Sequence, residues 1–176
     1  YYSPRLATER QKLSKLVKKL SKRLGKKIAI CDPYAGIGPN LVNAYDKMYV
    51  NQILANDLNP QATPYLTLNL PEFSEIYCTD ARDLATTLSK KYDIIFVNLP
   101  HDSISHLSEL SPYLAYSQET MIVGWALSDT GVNDLITQIN DQFSQDDIID
   151  LRIDEIKSYS PSQSIYSFII HLYLSP

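Results

Sequence analysis

Apolar residues recur with helical spacing in the first 27 residues of the chain. They occupy the i, i+3, i+4, i+7 and i+11 positions of one face, and lysines and arginines fill the positions between them. Gly25 predicts the end of this helix, and Ser3-Pro4 predicts its start. We therefore expect an amphipathic helix that packs its apolar face on the rest of the protein. The apolar positions are Leu13, Leu16, Val17, Leu20 and Leu24.

After Gly25 the pattern changes to short apolar or β-branched runs, each followed by a helical segment. Such alternation predicts right-handed crossovers and a parallel sheet covered by helices on both faces. The five runs are Ile28–Cys31, Gln52–Asn56, Glu75–Cys78, Asp93–Asn98 and Met121–Ala126.

The end of the chain differs from this pattern. Asp147–Lys157 and Ser164–Tyr173 are long strand-like runs, and the link between them leaves no room for a helix, which predicts an antiparallel hairpin. This outline resembles the class I S-adenosylmethionine-dependent methyltransferase fold, a Rossmann-like α/β fold with a mostly parallel seven-stranded sheet. Other doubly wound folds share it, so the residues at the strand ends decide.

Composition indicates an ordinary globular protein. The chain has 176 residues, of which 44% are hydrophobic and 20% charged, and it contains no linker-like tract. We expect a basic helical segment, residues 1–27, packed on one α/β domain, residues 28–176. No apolar run approaches the ~18 to 20 residues that span a bilayer, and no secretory signal is present. With only Cys31 and Cys78, both expected to be buried thiols, a cytoplasmic location is predicted. The missing initiator methionine is compatible with a piece of a longer protein.

Charge is distributed unevenly along the chain. Residues 1–27 contain ten lysines and arginines against one acidic residue, Glu9, although the whole chain has a net charge of -4. A basic segment on an acidic body favours binding to a polyanion such as nucleic acid, because clustered lysines and arginines release phosphate counterions. The alternative is a solvated face on a scaffold helix.

The first strand end carries an acidic residue and a glycine turn. Asp32 ends the run, and Gly36 and Gly38 enter the next helix. Glycines allow turn conformations and a close approach of the backbone to a ligand. A dinucleotide fingerprint would have a third glycine at Leu41, and Asp32 suits a cationic ligand such as S-adenosylmethionine instead. A purely structural tight turn is the alternative.

Three further strand ends carry polar side chains. Asp57 lies about 20 residues after the glycine turn, where a carboxylate accepts hydrogen bonds from a ribose diol. Asp80 could accept from an adenine amino group, and Asn98-Leu99-Pro100 could present amide and carbonyl groups to a purine. The alternatives are an Asx turn before Pro60, a helix cap at Asp80 and a simple turn after Asn98.

Other chemistries find little support in the sequence. His101, His106 and His171 do not form a cluster, so we expect no metal site. Neither a phosphate-binding loop nor a nucleophile elbow is present, which disfavours a nucleotide triphosphatase and a serine hydrolase. Tyr34, together with Tyr1 and Tyr2, could stack on a base.

The motifs resemble those of the catalytic domain of the archaeal and eukaryotic tRNA (guanine-37 N1)-methyltransferases. Five stretches spread along the whole chain carry the likeness. They are Tyr1-Tyr2-Ser3-Pro4-Arg5-Leu6-Ala7-Thr8-Glu9-Arg10, Asp32-Pro33-Tyr34-Ala35-Gly36-Ile37-Gly38-Pro39, Asn56-Asp57-Leu58-Asn59-Pro60, Asn98-Leu99-Pro100 and Ile156-Lys157-Ser158-Tyr159-Ser160-Pro161.

The resemblance implies roles for individual residues. Glu9 is expected to be the general base for guanine N1, and Asn98 with Pro100 is expected to hold the target base. Pairing of Glu9 with a lysine of its own helix, or a capping-box role, is the alternative. The expected cofactor contacts are Tyr1, Arg10, Asp32, Tyr34, Gly36, Gly38, Asp57, Asn59, Asp80, Ala81 and Asn98. The expected RNA contacts are Arg5, Lys12, Lys15, Lys19 and Lys22.

The resemblance also implies S-adenosylmethionine as cofactor and the anticodon stem-loop of tRNA as partner. Members of the family carry additional N-terminal domains that recognise tRNA, and we expect a monomer that depends on such a domain or on a partner. Two alternatives stay open. One is the aminocarboxypropyl transfer of wybutosine synthesis, or methylation of another RNA. The other is a non-catalytic RNA-binding module.

Overall fold

The computed structural model describes residues 6–99, 101–144, 146–160 and 162–175, without the side chains of residues 158 and 159. One seven-stranded sheet runs through these residues in the order β3-β2-β1-β4-β5-β7-β6. Strands β1 to β5 are parallel, and β7 is antiparallel to its neighbours β5 and β6. The strands are β1 (Ile28–Asp32), β2 (Val50–Asn56), β3 (Glu75–Tyr77), β4 (Ile94–Val97), β5 (Glu119–Ser128), β6 (Ile148–Ser160) and β7 (Gln163–Tyr173).

Helices cover both faces of the sheet. The α-helices are α1 (Ala7–Arg10), α2 (Leu13–Leu24), α3 (Pro39–Ala44), α4 (Thr63–Asn69), α5 (Ala81–Thr87) and α6 (Val132–Asn140). The connection from β4 to β5 differs, because it holds a 3₁₀ helix, Leu107–Tyr113. Pro112 lies inside that segment and lacks the backbone donor that an α-helix would use there.

The centre of the sheet is built from continuously apolar strands. Every residue of β1 and of β4 is buried. Strands with both faces covered by helices lose the alternation of apolar and polar residues, because both sets of side chains enter a core. The sequence runs that predicted these strands are therefore short and apolar throughout.

The predicted amphipathic helix is α2. Leu13, Val17 and Leu20 are buried in the core on one face of the sheet, which also contains Ile28 and Ile30 of β1. Gly25 ends the helix with φ at +66°, a left-handed conformation that favours glycine. The helix does not run unbroken from the start of the chain, since a turn separates it from α1. The predicted start at Ser3-Pro4 lies outside the described residues.

The C-terminal hairpin is formed by β6 and β7, as predicted, and β7 inserts beside β5. One prediction about the cysteines is wrong. Cys31 is buried, but Cys78 is exposed, because it follows the short edge strand β3 and no element covers it there. Among the described residues, no helix has the length and apolar character needed to cross a bilayer.

Candidate active site

A cavity lies at the carboxyl ends of the parallel strands. Its volume is about 370 Å³, within the range of about 300 to 1,000 Å³ typical of small-molecule sites. Loops after β1, β2, β3 and β4 form its walls, as expected where ligands bind in open α/β sheets. Five residues predicted for the site line this cavity together: Tyr34, Asp57, Asp80, Ala81 and Asn98.

The glycine turn after β1 has the conformation that its sequence predicts. Gly36 and Gly38 both have positive φ, +56° and +85°. At Gly38 a Cβ atom would lie 3.1 Å from Cδ2 of Leu66, so a side chain would also crowd α4. Gly38 begins α3. Neither glycine is among the residues that line the cavity. The backbone of Gly36 is hydrogen-bonded to Asp57, which does line it.

Asp57 fastens the glycine turn. Its Oδ2 accepts a hydrogen bond from the backbone N–H of Gly36 at 2.7 Å, and its Oδ1 accepts one from the N–H of Asn59 at 2.9 Å. The second bond is the Asx turn that the sequence left open as an alternative. A carboxylate offers about four lone-pair sites, so these two bonds leave acceptor capacity for a ligand. Asn59 is exposed and does not line the cavity.

Asp32 is completely buried and does not line the cavity. It accepts hydrogen bonds from the N–H of Tyr34 at 3.1 Å and from Nδ2 of Asn40 at 2.9 Å. Burial raises the pKa of Asp32 to about 7, against the lowering by its two hydrogen bonds. The sequence predicted a direct contact between this carboxylate and the cofactor, whereas its contacts in the structure shape the turn that borders the cavity.

Arg10 continues this buried network. Its side chain is 1% exposed, and its Nε donates to Oδ1 of Asn40 at 3.1 Å. The helix α1 is thereby linked through Asn40 to Asp32 at the end of β1. Arg10 was predicted as a cofactor contact, but it lies outside the cavity lining. Asn40 was not predicted, because the link joins residues 30 positions apart and only the packing of α1 on α3 creates it.

Asp80 caps helix α5. Its Oδ1 accepts from the backbone N–H of Arg82 at 2.9 Å, and its two oxygens also bind the Arg82 guanidinium at 3.0 and 2.7 Å. The hydrogen bonds from Arg82 lower the pKa of Asp80 to about 2. The capping role that the sequence left open is therefore present. Arg82 also lines the cavity, and it was missed although it stands next to the predicted residues.

Asn98 follows β4 and is 8% exposed. Its Oδ1 is buried and accepts no hydrogen bond from the residues that the structure describes. Burying an amide oxygen without a donor costs about 1 to 3 kcal/mol, so the position is suited to an external donor. Across the cavity, the ring of Tyr34 meets His106 edge-on at 5.7 Å between centroids. Burial raises the pKa of Tyr34 to about 12, so its hydroxyl stays protonated at neutral pH.

Asn56 is a structural residue of the site that the sequence analysis did not single out. Its Nδ2 donates to the carbonyls of Pro33 and Thr79 at 3.0 and 2.9 Å, and its Oδ1 accepts from the N–H of Thr79 at 3.1 Å. One buried side chain thus joins the ends of β1, β2 and β3. Its position directly before Asp57 in a predicted strand end was the signal that could have identified it.

Glu9 lies away from this cavity. It lines a groove between α1, α2 and the strands β5, β7 and β6, which we call the basic groove. Both oxygens of Glu9 accept from Nζ of Lys12, at 2.7 and 2.8 Å, which is the pairing with a lysine that the sequence left open. Lys15 and Lys19 line the same groove, whereas Lys22 does not. Tyr1, Arg5 and Pro100 lie outside the described residues, so their roles stay predictions.

No candidate metal site is found among the described residues. They contain no group of three or more His, Cys, Asp and Glu side chains arranged to hold an ion.

The chain shows clear sequence likeness to known proteins, although no family model matches it. It is 30% identical to tRNA (guanine(37)-N(1))-methyltransferase 1 of Vitis vinifera over 117 residues, 61% of this chain and 18% of that protein. It is 34% identical to the enzyme of the same name from Dictyostelium discoideum over 115 residues, 61% of this chain and 23% of that protein. The chain is a relative of the tRNA (guanine(37)-N(1))-methyltransferases. The family predicted from the motifs is thus confirmed, and the chain spans between 17% and 27% of the length of four such relatives.

Solved structures of this and a neighbouring family share the fold. The tRNA m1G37 methyltransferase of M. jannaschii has a TM-score of 0.75 at 22% identity, covering 98% of this chain and 51% of that one. M. jannaschii TYW2, in complex with AdoMet, has a TM-score of 0.79 at 16% identity, covering 98% and 78%. The structure of aTrm5 with tRNALeu has a TM-score of 0.72 at 22% identity, covering 97% and 47%. The predicted class I methyltransferase fold is confirmed.

Proposed function

We propose that the chain is the catalytic part of a tRNA methyltransferase that transfers a methyl group from S-adenosylmethionine to N1 of guanosine 37, beside the anticodon. One observation carries the proposal: residues from four separate strand ends, each predicted for the site, converge on one cavity of suitable size. The sequence relatives that are 30% to 34% identical support the reaction and the tRNA substrate, because all four bear that activity in their names.

The cavity fits S-adenosylmethionine in its chemistry. Asp57 offers carboxylate oxygens to a ribose diol, and Asn98 offers a buried oxygen that no described residue uses. Ala81 and Leu99 provide apolar wall for an adenine ring. When bound, the cofactor supplies an electrophilic methyl group on a positively charged sulfur. The two complexes solved with AdoMet and tRNALeu concern other proteins and support the proposal through the shared fold.

The remaining chemistry falls to residues of the chain. Guanine N1 carries a weakly acidic proton, which must leave before its lone pair attacks, and Glu9 is proposed to accept that proton. The carboxylate is 16% exposed and paired with Lys12, so binding of the substrate has to displace the lysine or rotate Glu9. Asn98 is proposed to hold the target base near the cofactor. Holding both reactants in place would make methyl transfer effectively unimolecular.

The experiment that tests this function is a reaction with tRNA and S-adenosylmethionine, followed by mass analysis of the digested tRNA. The proposal expects one methyl group on guanosine 37. Addition of an aminocarboxypropyl group would favour the alternative reaction, the aminocarboxypropyl transfer of wybutosine synthesis. Unmodified tRNA together with salt-sensitive RNA binding and no cofactor binding would favour a non-catalytic module.

The working unit is proposed to be larger than the described fold. Residues 1–27 would act as a basic helical segment on the methyltransferase domain of residues 28–176, and recognition of the tRNA body would need a further domain or partner. We expect a monomer located in the cytoplasm. Cell fractionation and light scattering of the full protein test the two last points.

A further inference from the structure

The basic groove is a second concave surface that the proposed methyl transfer leaves unexplained. It has a volume of about 280 Å³ and lies between the helices α1 and α2 and the sheet strands β5, β7 and β6. Helix α2 supplies one wall, with Leu13 and Leu16. The strands supply the opposite wall, with Trp125 of β5 and Ile169 of β7.

The groove lies beside the candidate active site at the same height along the sheet. Val97 of β4 pairs with Gly124 of β5, so the next residues, Asn98 and Trp125, are level with each other. Glu9, the proposed base, lines the groove. An RNA whose target base reaches Asn98 and Glu9 would therefore place a neighbouring nucleotide at the groove.

The floor of the groove is apolar with one unused polar atom. Trp125 is 1% exposed, and its Nε1 is buried with no acceptor among the described residues. A buried N–H without an acceptor is unfavourable. A base carbonyl that accepts a hydrogen bond from this indole N–H would satisfy the donor.

The rim of the groove is positively charged. Lys12 and Arg152 are neutralised by Glu9 and Asp154, with pair distances of 2.7 Å each. Lys15 and Lys19 are exposed and form no ion pair with any residue that the structure describes. Two unpaired cations above an apolar floor complement a nucleotide, which presents a flat base and an anionic phosphate.

We propose that the basic groove binds one single-stranded RNA nucleotide that flanks the target base. Its base packs against Leu16 and accepts a hydrogen bond from Nε1 of Trp125, and its phosphate is held by Lys15 and Lys19, with Arg152 available once Asp154 is displaced. The inference rests on the proposed tRNA function and adds a subsite to it. It also assigns Lys15 and Lys19 a specific role, the binding of one phosphate, as opposed to a general electrostatic attraction between residues 1–27 and RNA.

Trp125 makes the test direct, because it is the only tryptophan of the chain. A short single-stranded RNA with the sequence of an anticodon loop is titrated into the protein while tryptophan fluorescence is recorded. The proposal expects saturable quenching. In Lys15→Gln/Lys19→Gln the dissociation constant rises about 2- to 30-fold, since the two exposed charge pairs contribute about 0.2 to 1 kcal/mol each. The slope of log affinity against log salt falls by about 0.7, because the two lysines hold one phosphate and single strands lose about 0.7 per phosphate contact.

The matched control is Lys18→Gln/Lys47→Gln, which removes the same charge at exposed positions outside the groove. It should bind RNA nearly as the unchanged protein does. Equal weakening by both pairs would mean diffuse attraction and would overturn the subsite. RNA binding without any change in Trp125 fluorescence would overturn it as well, as would displacement of the RNA by polyglutamate at equal charge concentration.

A second variant, Trp125→Phe, removes the indole N–H and keeps an aromatic floor. We expect it to bind a labelled RNA more weakly by fluorescence anisotropy, while its melting temperature shows that it is folded; unchanged affinity would contradict the role of the N–H. Titration with S-adenosylmethionine separates the two proposals. Cofactor binding without RNA quenching overturns the subsite alone, and RNA quenching without cofactor binding overturns the methyltransferase function and leaves the subsite standing.

Discussion

Asp32 accepts hydrogen bonds from beneath the glycine turn, and its burial in the folded protein raises its pKa. The pKa of this carboxyl is about 7 in the folded chain, against an ordinary value of 3.8. Its neighbours Asn40 and Tyr34 donate to it, but burial has the larger effect. Protonation of Asp32 is therefore coupled to the stability of the turn that Asp57 also fastens.

The pH dependence of unfolding tests this coupling. Because the pKa is raised on folding, the folded state keeps a proton between about pH 4 and pH 7 that the unfolded state has lost. The contribution of Asp32 to stability is therefore fully present below about pH 4 and is lost as the pH rises towards 7. We expect the free energy of unfolding of the unchanged protein, minus that of Asp32→Asn, to fall over this range and to level off above it. Parallel curves from denaturant titrations would contradict the raised pKa.

Glu9 carries the proposed proton transfer. Replacing it by glutamine keeps the size of the side chain and removes the base, so turnover should fall by about 10²- to 10⁴-fold. Cofactor affinity should not change, since Glu9 lies outside the cofactor cavity. Single-turnover assays with tRNA measure the first effect and calorimetry the second. Glu72→Gln, an exposed position elsewhere, is the matched control; a Glu9→Gln enzyme of normal rate would place the base at another residue.

Strands β5 and β7 meet at a contact that only glycine allows. A Cβ atom on Gly124 would lie 2.3 Å from Cζ of Phe168, which is buried. Gly124→Ala should therefore lower the free energy of unfolding by about 1 to 3 kcal/mol, as overpacking does in well-filled cores. Denaturant unfolding measures the loss. Adding Phe168→Leu should recover part of it, and a double variant less stable than either single variant would refute the packing argument.

The elements differ in how far the sequence predicted them. Strands β1 and β4 were predicted because continuous apolar runs are the direct consequence of burial on both faces. The hairpin followed from a link too short for a helix. The turn between α1 and α2 and the 3₁₀ helix after β4 were not predicted, although Pro112 in the second segment is a local signal against an α-helix there. The sequence predicted Glu9 as the base for the target guanine; the structure places it on α1 in the basic groove, and its role as the base stays a prediction.

The site shows the same division. Asp57, Asp80 and Asn98 were predicted because parallel strands bring their carboxyl ends to one edge. Contacts between distant elements gave no sequence signal, and the link from Arg10 through Asn40 to Asp32 is the clearest case. Arg10 and Asp32 lie behind the turn that borders the cavity, and their contact with the cofactor stays a prediction.

The whole molecule places two surfaces side by side. The cavity at the strand ends carries Asp57 and Asp102, which suits a cationic cofactor, and the basic groove carries Lys15 and Lys19, which suits RNA. The acidic cavity would attract the cationic cofactor and the basic groove would attract the anionic RNA. Both reactants would then meet near the end of β4. This arrangement gives a use to the uneven charge of the chain, which has a net charge of -4 but carries ten of its 16 lysines and arginines in residues 1–27.

The most direct test of the account is calorimetric titration of the full protein with S-adenosylmethionine, alongside its Asp57→Ala and Asp141→Ala variants. The account predicts saturable binding to the unchanged protein. In Asp57→Ala the affinity should fall by about 100-fold, because hydrogen bonds to a charged group contribute about 1.5 kcal/mol or more each. Asp141→Ala, an exposed acidic position at the end of α6, should bind as the unchanged protein does. No binding by the folded unchanged protein, or equal affinity in Asp57→Ala, would contradict the claim that this cavity holds the cofactor.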